Sequence, residues 1–259
     1  MTVQSIFLFA PAETAEAGRG AAAYAASLAR SEHATLTVFT VALDVTTTGS
    51  SADTAAFAEA ISAKAREAGI DFRVITSHSH AIGIHEVVAE HARLHDLVVI
   101  GVCDGAILGE RQIAEHLLFE SGRPVLIVPT DYAESYRSDT VAVAWDNSAA
   151  AARALGDARA LIHNATVFLT IDGDKQIESD IDGTELVEAA ARRGLSARLV
   201  TTEKNERTIA EALQEEALAQ GADLLAMGAY GHSRLRRFVL GSATQGILER
   251  PAMPVLLSH

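Results

Sequence analysis

The chain of 259 residues contains one cysteine, Cys103. A single thiol cannot close a disulfide within the chain, so a disulfide-stapled secreted scaffold is excluded and a reducing, cytoplasmic setting is expected. Aromatic residues make up only 5% of the sequence, so the core must be assembled from Ala, Val, Leu and Ile. Long apolar runs are missing too, and nothing approaches the roughly 20 residues that cross a bilayer. The stretch Ile6 to Phe9 is too short for a secretory leader, and no Lys or Arg precedes it. Basic charge is scarce: 21 Lys and Arg stand against 34 Asp and Glu, a net charge of -13. A field of that sign repels phosphate backbones and anionic lipid, so neither a nucleic acid nor a membrane is expected as a partner. An anionic small molecule would need a local site that overrides the global charge.

What the sequence does contain is an internal repeat. Asp96-Leu-Val-Val-Ile-Gly101 matches Asp223-Leu-Leu-Ala-Met-Gly228, and the segment from Gly122 to Pro129 matches Ala252 to Leu257 around its proline. Arg66-Glu-Ala-Gly69 with Phe72 to Ile75 matches Arg192-Arg-Gly194 with Ala197 to Val200, and matched positions stay 125 to 130 residues apart. The polar stretch Thr130 to Thr140 forms the seam, which places the domains at 1-132 and 138-259.

Each copy reads as strands alternating with helices. In the second, strand Val141 to Ala144 meets Asp146-Asn147-Ser148, three good N-cap residues, ahead of an Ala-rich helix at 149-162. Strand Val167 to Ile171, a helix near 184-193 stopped by Gly194, and strand Arg198 to Thr201 follow. A helix at 206-219, strand Leu224 to Met227, a helix near 242-250 and strand Val255 to Leu257 complete the copy. Strands joined by helices imply an α/β fold, a parallel sheet with helices on both faces. Ligands of such sheets bind at the carboxyl ends of the strands, so the chemistry is sought just after Ala144, Ile171 and Met227.

After that last strand stands a skeleton of Gly228, two residues, Gly231, nine residues, and Gly241-Ser242. Gly228 lets a ribose lie against the strand end, and Gly231 permits a positive φ with N–H groups turned towards an anion. Gly241 and Ser242 sit where the next helix opens, and its unpaired N–H groups, with the hydroxyls of Ser242 and Thr244, suit a phosphate chain. The segment is neither a P-loop nor a dinucleotide fingerprint, because Gly-Lys-Ser/Thr and Gly-x-Gly-x-x-Gly are both absent.

From Asp223 to Leu257, with Gly-Ala-Tyr-Gly-His-Ser-Arg and Val-Leu-Gly-Ser-Ala-Thr, the sequence resembles the universal stress protein family, and the similarity extends through both halves as in its tandem members. The resemblance implies two tandem five-stranded parallel sheets of strand order 3-2-1-4-5. It also implies an adenine nucleotide as partner, with ATP as the cofactor, with or without Mg2+. Carried over by position, Gly228 and Gly231 contact ribose and phosphate, and Gly241, Ser242, Ala243 and Thr244 cradle the phosphates. Asp146 resembles the family aspartate near the ribose, and Ile171 resembles the residue whose backbone reads adenine. Asp146 also reads as an N-cap, and the two roles can coexist. Trp145 reads either as packing or as a border of the base pocket. Arg234, with Arg236 and Arg237, reads either as a solvated face or as a screen for phosphate charge. The physiological role implied is an ATP-binding regulatory protein of the stress response. Both copies end in matching segments, which implies an intramolecular pseudo-dimer, with a homodimer of whole chains left open.

The first copy departs from this pattern. Its loop is three residues shorter, Arg111 and Gln112 stand where Gly241 and Ser242 do, and Ala12 stands opposite Asp146. One nucleotide per chain is therefore expected, held by the C-terminal half. Two other readings stay open. His78, His80, His85, His91 and His95 make a histidine-rich segment in which a pair four apart can chelate a metal, although no carboxylate or cysteine completes a set. A slow ATPase is the other, with His232 as the sole candidate base beside the loop and no partner for it in the sequence. No catalytic and no metal-ligating residue is assigned. The expected outcome of Gly241→Val is loss of nucleotide binding with the fold intact, since the side chain fills the space the phosphates need. Calorimetric titration of the folded variant with ATP checks this, and unchanged affinity refutes the phosphate-loop assignment.

Overall fold

The computed structural model describes residues 2–10, 19–43, 59, 63, 65, 66, 69–79, 83–102, 109–172, 182–229 and 242–259. The chain divides into two compact units, Thr2–Tyr136 and Arg137–His259. The first runs past the expected limit at residue 132 because the supposed linker is anchored. Tyr132 and Tyr136 pack edge-on against Tyr24 at 5.7 and 5.6 Å, and the Tyr136 amide donates to Ser27 Oγ at 2.7 Å.

The N-terminal unit contains strands β1 (Ser5–Phe9), β2 (Thr35–Leu43), β3 (Phe72–Ser79), β4 (Leu97–Val102) and β5 (Val125–Pro129). They pair in parallel in the order β3-β2-β1-β4-β5. Helices Arg19–Glu32, Ile84–Ala92 and Glu110–Glu120 lie in the connections. The C-terminal unit contains β6 (Thr140–Ala144), β7 (Ala165–Asp172), β8 (Ser196–Glu203), β9 (Leu224–Gly228) and β10 (Val255–Ser258). These pair in parallel in the corresponding order β8-β7-β6-β9-β10. Its helices are Ala149–Ala158, Gly183–Arg192, Ile209–Ala219 and Ser242–Glu249. Among the described residues no helix is long and apolar enough to cross a membrane.

Burial follows from this arrangement. Central parallel strands are covered on both faces and read as unbroken apolar runs. Every residue of β4 is buried, whereas the outer strand β8 is largely exposed. The scarce aromatics are spent inside, with Phe7, Phe39, Phe168 and Tyr24 fully buried.

Local chemistry sets the element limits. Helix Gly183–Arg192 ends in a Schellman motif: Gly194 has φ +77, its amide donates to the Ala191 carbonyl, and the Leu195 amide donates to the Ala190 carbonyl. The helix expected from residue 206 begins at Ile209 instead. Thr208 caps it and Glu211 reaches back to the Thr208 amide at 2.8 Å, a capping box whose Thr-x-x-Glu signature the apolar pattern concealed. The helix expected to reach 162 ends at Ala158, and a 3-10 turn, Arg159–Leu161, tightens its exit.

The repeated Asp-Leu segments also have a structural cause. Asp96 accepts from the amides of Gln4 and Ser5 and from Ser5 Oγ, all at 3.0 Å. Asp223 accepts from the Thr140 amide at 3.0 Å. In each unit the carboxylate before the fourth strand holds the start of the first, which fixes register between neighbours distant in sequence. Burial alone would raise the Asp96 pKa, but the donated hydrogen bonds and the nearby Arg123 outweigh it and the pKa lies below the ordinary value.

A second latch joins helix Ile84–Ala92 to the sheet. His95 is buried, with Nδ1 at 3.0 Å from the His91 carbonyl and Nε2 at 2.9 Å from Thr37 Oγ1. Arg73 Nε donates to that same hydroxyl oxygen at 2.9 Å. A carbonyl only accepts, so Nδ1 carries the proton; with the pKa lowered the ring is neutral at pH 7, and Nε2 accepts from Thr37, which accepts from Arg73. The histidine is neutral in this chain of bonds. Burial is the largest cause of its lowered pKa, Arg73 and His91 add to it, and the His91 carbonyl and Asp96 oppose it.

A histidine whose folded pKa is depressed contributes stability above its unfolded pKa of about 6.5. That stability is lost as pH falls through the folded pKa. Urea midpoints measured from pH 7 to pH 5 should fall more in the wild type than in His95→Gln. The difference has a slope of at most about 1.4 kcal/mol per pH unit. Loss of Asp96 charge acts at lower pH and does not confound that window. Parallel curves for the two proteins refute the neutral latch.

Candidate functional site

In the C-terminal unit the chain runs from β6 to β7 on one side and reaches β9 on the other, so the sheet changes winding direction between β6 and β9. Such a switch point leaves a crevice beyond the carboxyl ends of the two strands. Ala144 and Gly228 are the last residues of β6 and β9. Ala144 pairs with Leu169, and the Trp145 amide continues the ladder to the Leu169 carbonyl at 2.8 Å. Strand β7 runs on to Asp172, so Ile171 stands beyond the end of β6, half-buried and paired with Thr202.

The turn after β6 is tightly organised. Ser148 is the N-cap of helix Ala149–Ala158, accepting from the Ala151 amide at 3.0 Å. Asp146 is therefore not the cap. Its Oδ1 accepts from the Ser148 amide at 3.0 Å, an Asx-turn that places the carboxylate beside the strand end. Asn147, at its centre, has φ +56, a left-handed conformation that asparagine tolerates. The Trp145 indole N–H donates to Asn147 Oδ1 at 2.6 Å, and the ring meets Phe168 edge-on at 5.8 Å. The packing role weighed for Trp145 is thus present in the structure.

Gly228 has a role that its position in a glycine pattern did not disclose. A Cβ there would lie 2.5 Å from the Ala150 carbonyl carbon, 2.6 Å from its Cβ and 2.7 Å from its oxygen. The space that a side chain at this position would need is filled by the first turn of helix Ala149–Ala158. In the connection from β9 to β10, helix Ser242–Glu249 opens with Ser242 exposed, Ala243 half-buried and Thr244 buried, and its first turn carries no acid. Gln214 holds the exit of that helix in place: buried, it donates through Nε2 to the Arg250 carbonyl at 3.1 Å and accepts from the Ala252 amide at 2.7 Å. Nothing in the local sequence marks Gln214, Ala150 or Asn147 as supports of the site, apart from the ease with which asparagine takes a positive φ. Gly231, His232, Arg234 and Gly241, with Arg236 and Arg237, lie outside the described residues.

The family model for universal stress proteins matches residues 137–259, the whole of this unit. Residues 137–259 belong to the universal stress protein family. The chain is 30% identical over 149 residues to a universal stress protein of Synechocystis, covering 55% of this chain and 49% of that relative. The chain thus spans about half the length of the curated relative it matches. Its fold matches that of a universal stress protein from Archaeoglobus fulgidus with a TM-score of 0.73 at 18% identity, over 97% of this chain and 95% of that one. A functionally unknown protein from Pseudomonas aeruginosa matches with a TM-score of 0.59 at 14% identity, over 99% and 92% of the two chains. At these identities the structural likeness speaks for the fold.

The universal stress protein domain differs from the N-terminal unit at the corresponding places. Ile6 faces Leu97 as Val141 faces Leu224. The strand register thus sets Pro11, rather than Ala12, opposite Asp146; both lie outside the described residues. The helix equivalent to Ser242–Glu249 begins at Glu110, putting a carboxylate in its first turn. Arg111 lies inside that turn with Nε 2.9 Å from Glu115 Oε1, and Gln112 follows it.

The histidines also part company. Both ring nitrogens of His95 are engaged in the latch, the His91 ring packs on Phe39 at 4.6 Å, and the His85 ring faces His116 of the next helix at 5.5 Å. The pair His91 and His95 therefore does not chelate. His80 lies outside the described residues, as does the His78 side chain. Among the described residues no group of three or more His, Cys, Asp or Glu is placed to hold a metal.

The close approach at Gly228 predicts that Gly228→Ala destabilises the C-terminal unit by roughly 1–3 kcal/mol, the usual cost of overpacking. Adding Ala150→Gly should not restore stability, because the clash includes backbone carbon and oxygen. Urea unfolding of the single and double variants checks this, and full rescue by the second substitution refutes it.

Proposed function

We propose that the C-terminal unit binds one adenine nucleotide, ATP with or without Mg2+, and acts as a regulatory domain of the stress response in the cytoplasm. The observation that carries the reading is the switch-point crevice between β6 and β9. Asp146 directly follows the end of β6, and the helix in the connection from β9 to β10, Ser242–Glu249, has an acid-free opening. A ribose is a hydroxyl donor and suits a carboxylate. A phosphate chain is an anion and suits unpaired helix N–H groups with the Ser242 and Thr244 hydroxyls. The strand end at Ile171, projecting past β6, offers main-chain groups to a base edge. The single cysteine agrees with a reducing compartment.

The reading assigns no chemistry to the nucleotide. Efficient hydrolysis needs a base aimed at the terminal phosphate, and none of the described residues around the crevice is a histidine or lysine poised for that task. The N-terminal unit is read as empty of nucleotide, since Glu110 brings negative charge to the helix opening where phosphate would sit.

Calorimetric titration with ATP should therefore give one site per chain, and the chain's single tryptophan, Trp145, should change its emission as that site fills. At a hundredfold excess of ATP over the dissociation constant, the unit should gain about 2.7 kcal/mol by linkage. Two sites of similar affinity refute the asymmetry, and absence of any ATP binding refutes the function.

A further inference from the structure

The only tryptophan of the chain directly precedes the candidate ribose-binding carboxylate, and its polar atom is engaged within the turn. The indole N–H is spent on Asn147 Oδ1 at 2.6 Å, two residues along. The bond closes a small ring over Asp146. Within that ring Asp146 Oδ1 accepts from the Ser148 amide at 3.0 Å, which restrains the carboxylate.

Asn147 is the strained member of the turn. Its φ of +56 corresponds to the third position of a type II turn, here built as an Asx-turn with the Asp146 side chain as the first element. A residue in that conformation needs support from its surroundings, and the structure supplies it from the sheet. The Trp145 amide is tied to Leu169, and its ring packs on Phe168. Both partners belong to β7, the strand that also carries Ile171. Position thus passes from β7 through the indole to Asn147 and on to the carboxylate.

We infer that Trp145 and Asn147 are positioning residues, a strap that presets the Asp146 carboxylate to accept a ribose hydroxyl. The inference rests on the nucleotide reading above and adds what makes the site selective for the sugar. Preorganisation of this kind lowers the cost of ordering the acceptor at the moment of binding. A carboxylate free to rotate would still attract cations, but it would lose its preference for a hydroxyl in one place. The indole acts as a brace in this account, and it need not stack on the base.

The test compares ATP with 2′,3′-dideoxy-ATP, which lacks both ribose hydroxyls, by calorimetric titration of the full chain. A hydrogen bond to a charged group corresponds to a preference of roughly tenfold or more, so wild-type protein should favour ATP by that factor. Trp145→Phe keeps a ring on Phe168 and deletes the N–H. Asn147→Gly keeps the positive φ and deletes the acceptor. Both should bring the affinity ratio close to one by weakening ATP, with dideoxy-ATP little changed. Asn147→Asp retains the acceptor and the tolerance of positive φ. Its added charge acts on both ligands alike, so its ratio should stay near that of the wild type. General damage to the fold weakens both nucleotides together and leaves the ratio intact, so a wild-type ratio in both Trp145→Phe and Asn147→Gly overturns the strap while nucleotide binding stands. Equal wild-type affinity for the two nucleotides overturns the ribose contact and the strap with it. A wild-type chain that binds neither overturns the nucleotide reading itself.

Discussion

Helix Ala149–Ala158 follows β6 and must begin almost at once, yet its first turn also lies against the end of β9. The two requirements are compatible only because position 228 has no Cβ. The Ala150 carbonyl occupies the place where that atom would be. β6 and β9 are neighbouring strands held by their own ladder, and this contact sets how closely the helix lies over the end of β9. The Asx-turn at Asp146 and the cap at Ser148 lie just before Ala150 in the chain, so they are held beside that contact. Small residues elsewhere serve the same end. The buried face of helix Ala149–Ala158 is built from Ala151, Ala154, Leu155 and Ala158, and alanines let a helix approach a sheet closely. The poverty of aromatics is part of this geometry, because bulkier side chains in those positions would lift the helices away.

The two units share strand order and the aspartate that holds the first strand to the fourth. They diverge at the carboxyl ends of the strands. Register and core packing constrain the lower part of a parallel sheet, and Asp96 and Asp223 answer the same demand there: start-of-strand amides at a sheet end need an acceptor. The upper ends carry no such demand and are open to change. One unit places serine and threonine at the helix opening, and the other places Glu110 and Arg111, the latter joined to Glu115. Histidine follows the same division. His95 belongs to the scaffold, with both its nitrogens engaged, although the spacing of His91 and His95 resembled a metal pair. The main-chain carbonyl of His91, which accepts from His95 Nδ1, is invisible to a count of side-chain types.

The alternation of elements and the residues flanking the strand ends were legible in the sequence, whereas the strand order was implied only by the family resemblance. Apolar runs of four to six residues punctuated by glycine and capping residues report a local balance of burial and turn chemistry. Limits of elements were read less well where a side chain reached back to the main chain. Thr208 with Glu211 moved a helix start by its capping box, and Tyr132 with Tyr136 carried the first unit beyond the seam by packing on Tyr24.

By itself, then, the sequence determined the repeat, the parallel α/β architecture, the family of the C-terminal half and the residue types at the crevice. These depend on periodicity, composition and short motifs, which are properties of neighbouring residues. Tertiary structure alone decided what those residues do once assembled. It made Gly228 a packing vacancy for Ala150, gave the N-cap to Ser148 rather than Asp146, and set Gln214 to hold the loop at Arg250 and Ala252. It also turned the indole of Trp145 onto Asn147 and the ring of His95 onto Thr37. The reason is physical: a close approach or a buried hydrogen bond is a relation between two places in space, and for most of these pairs the partner is supplied by another strand or helix.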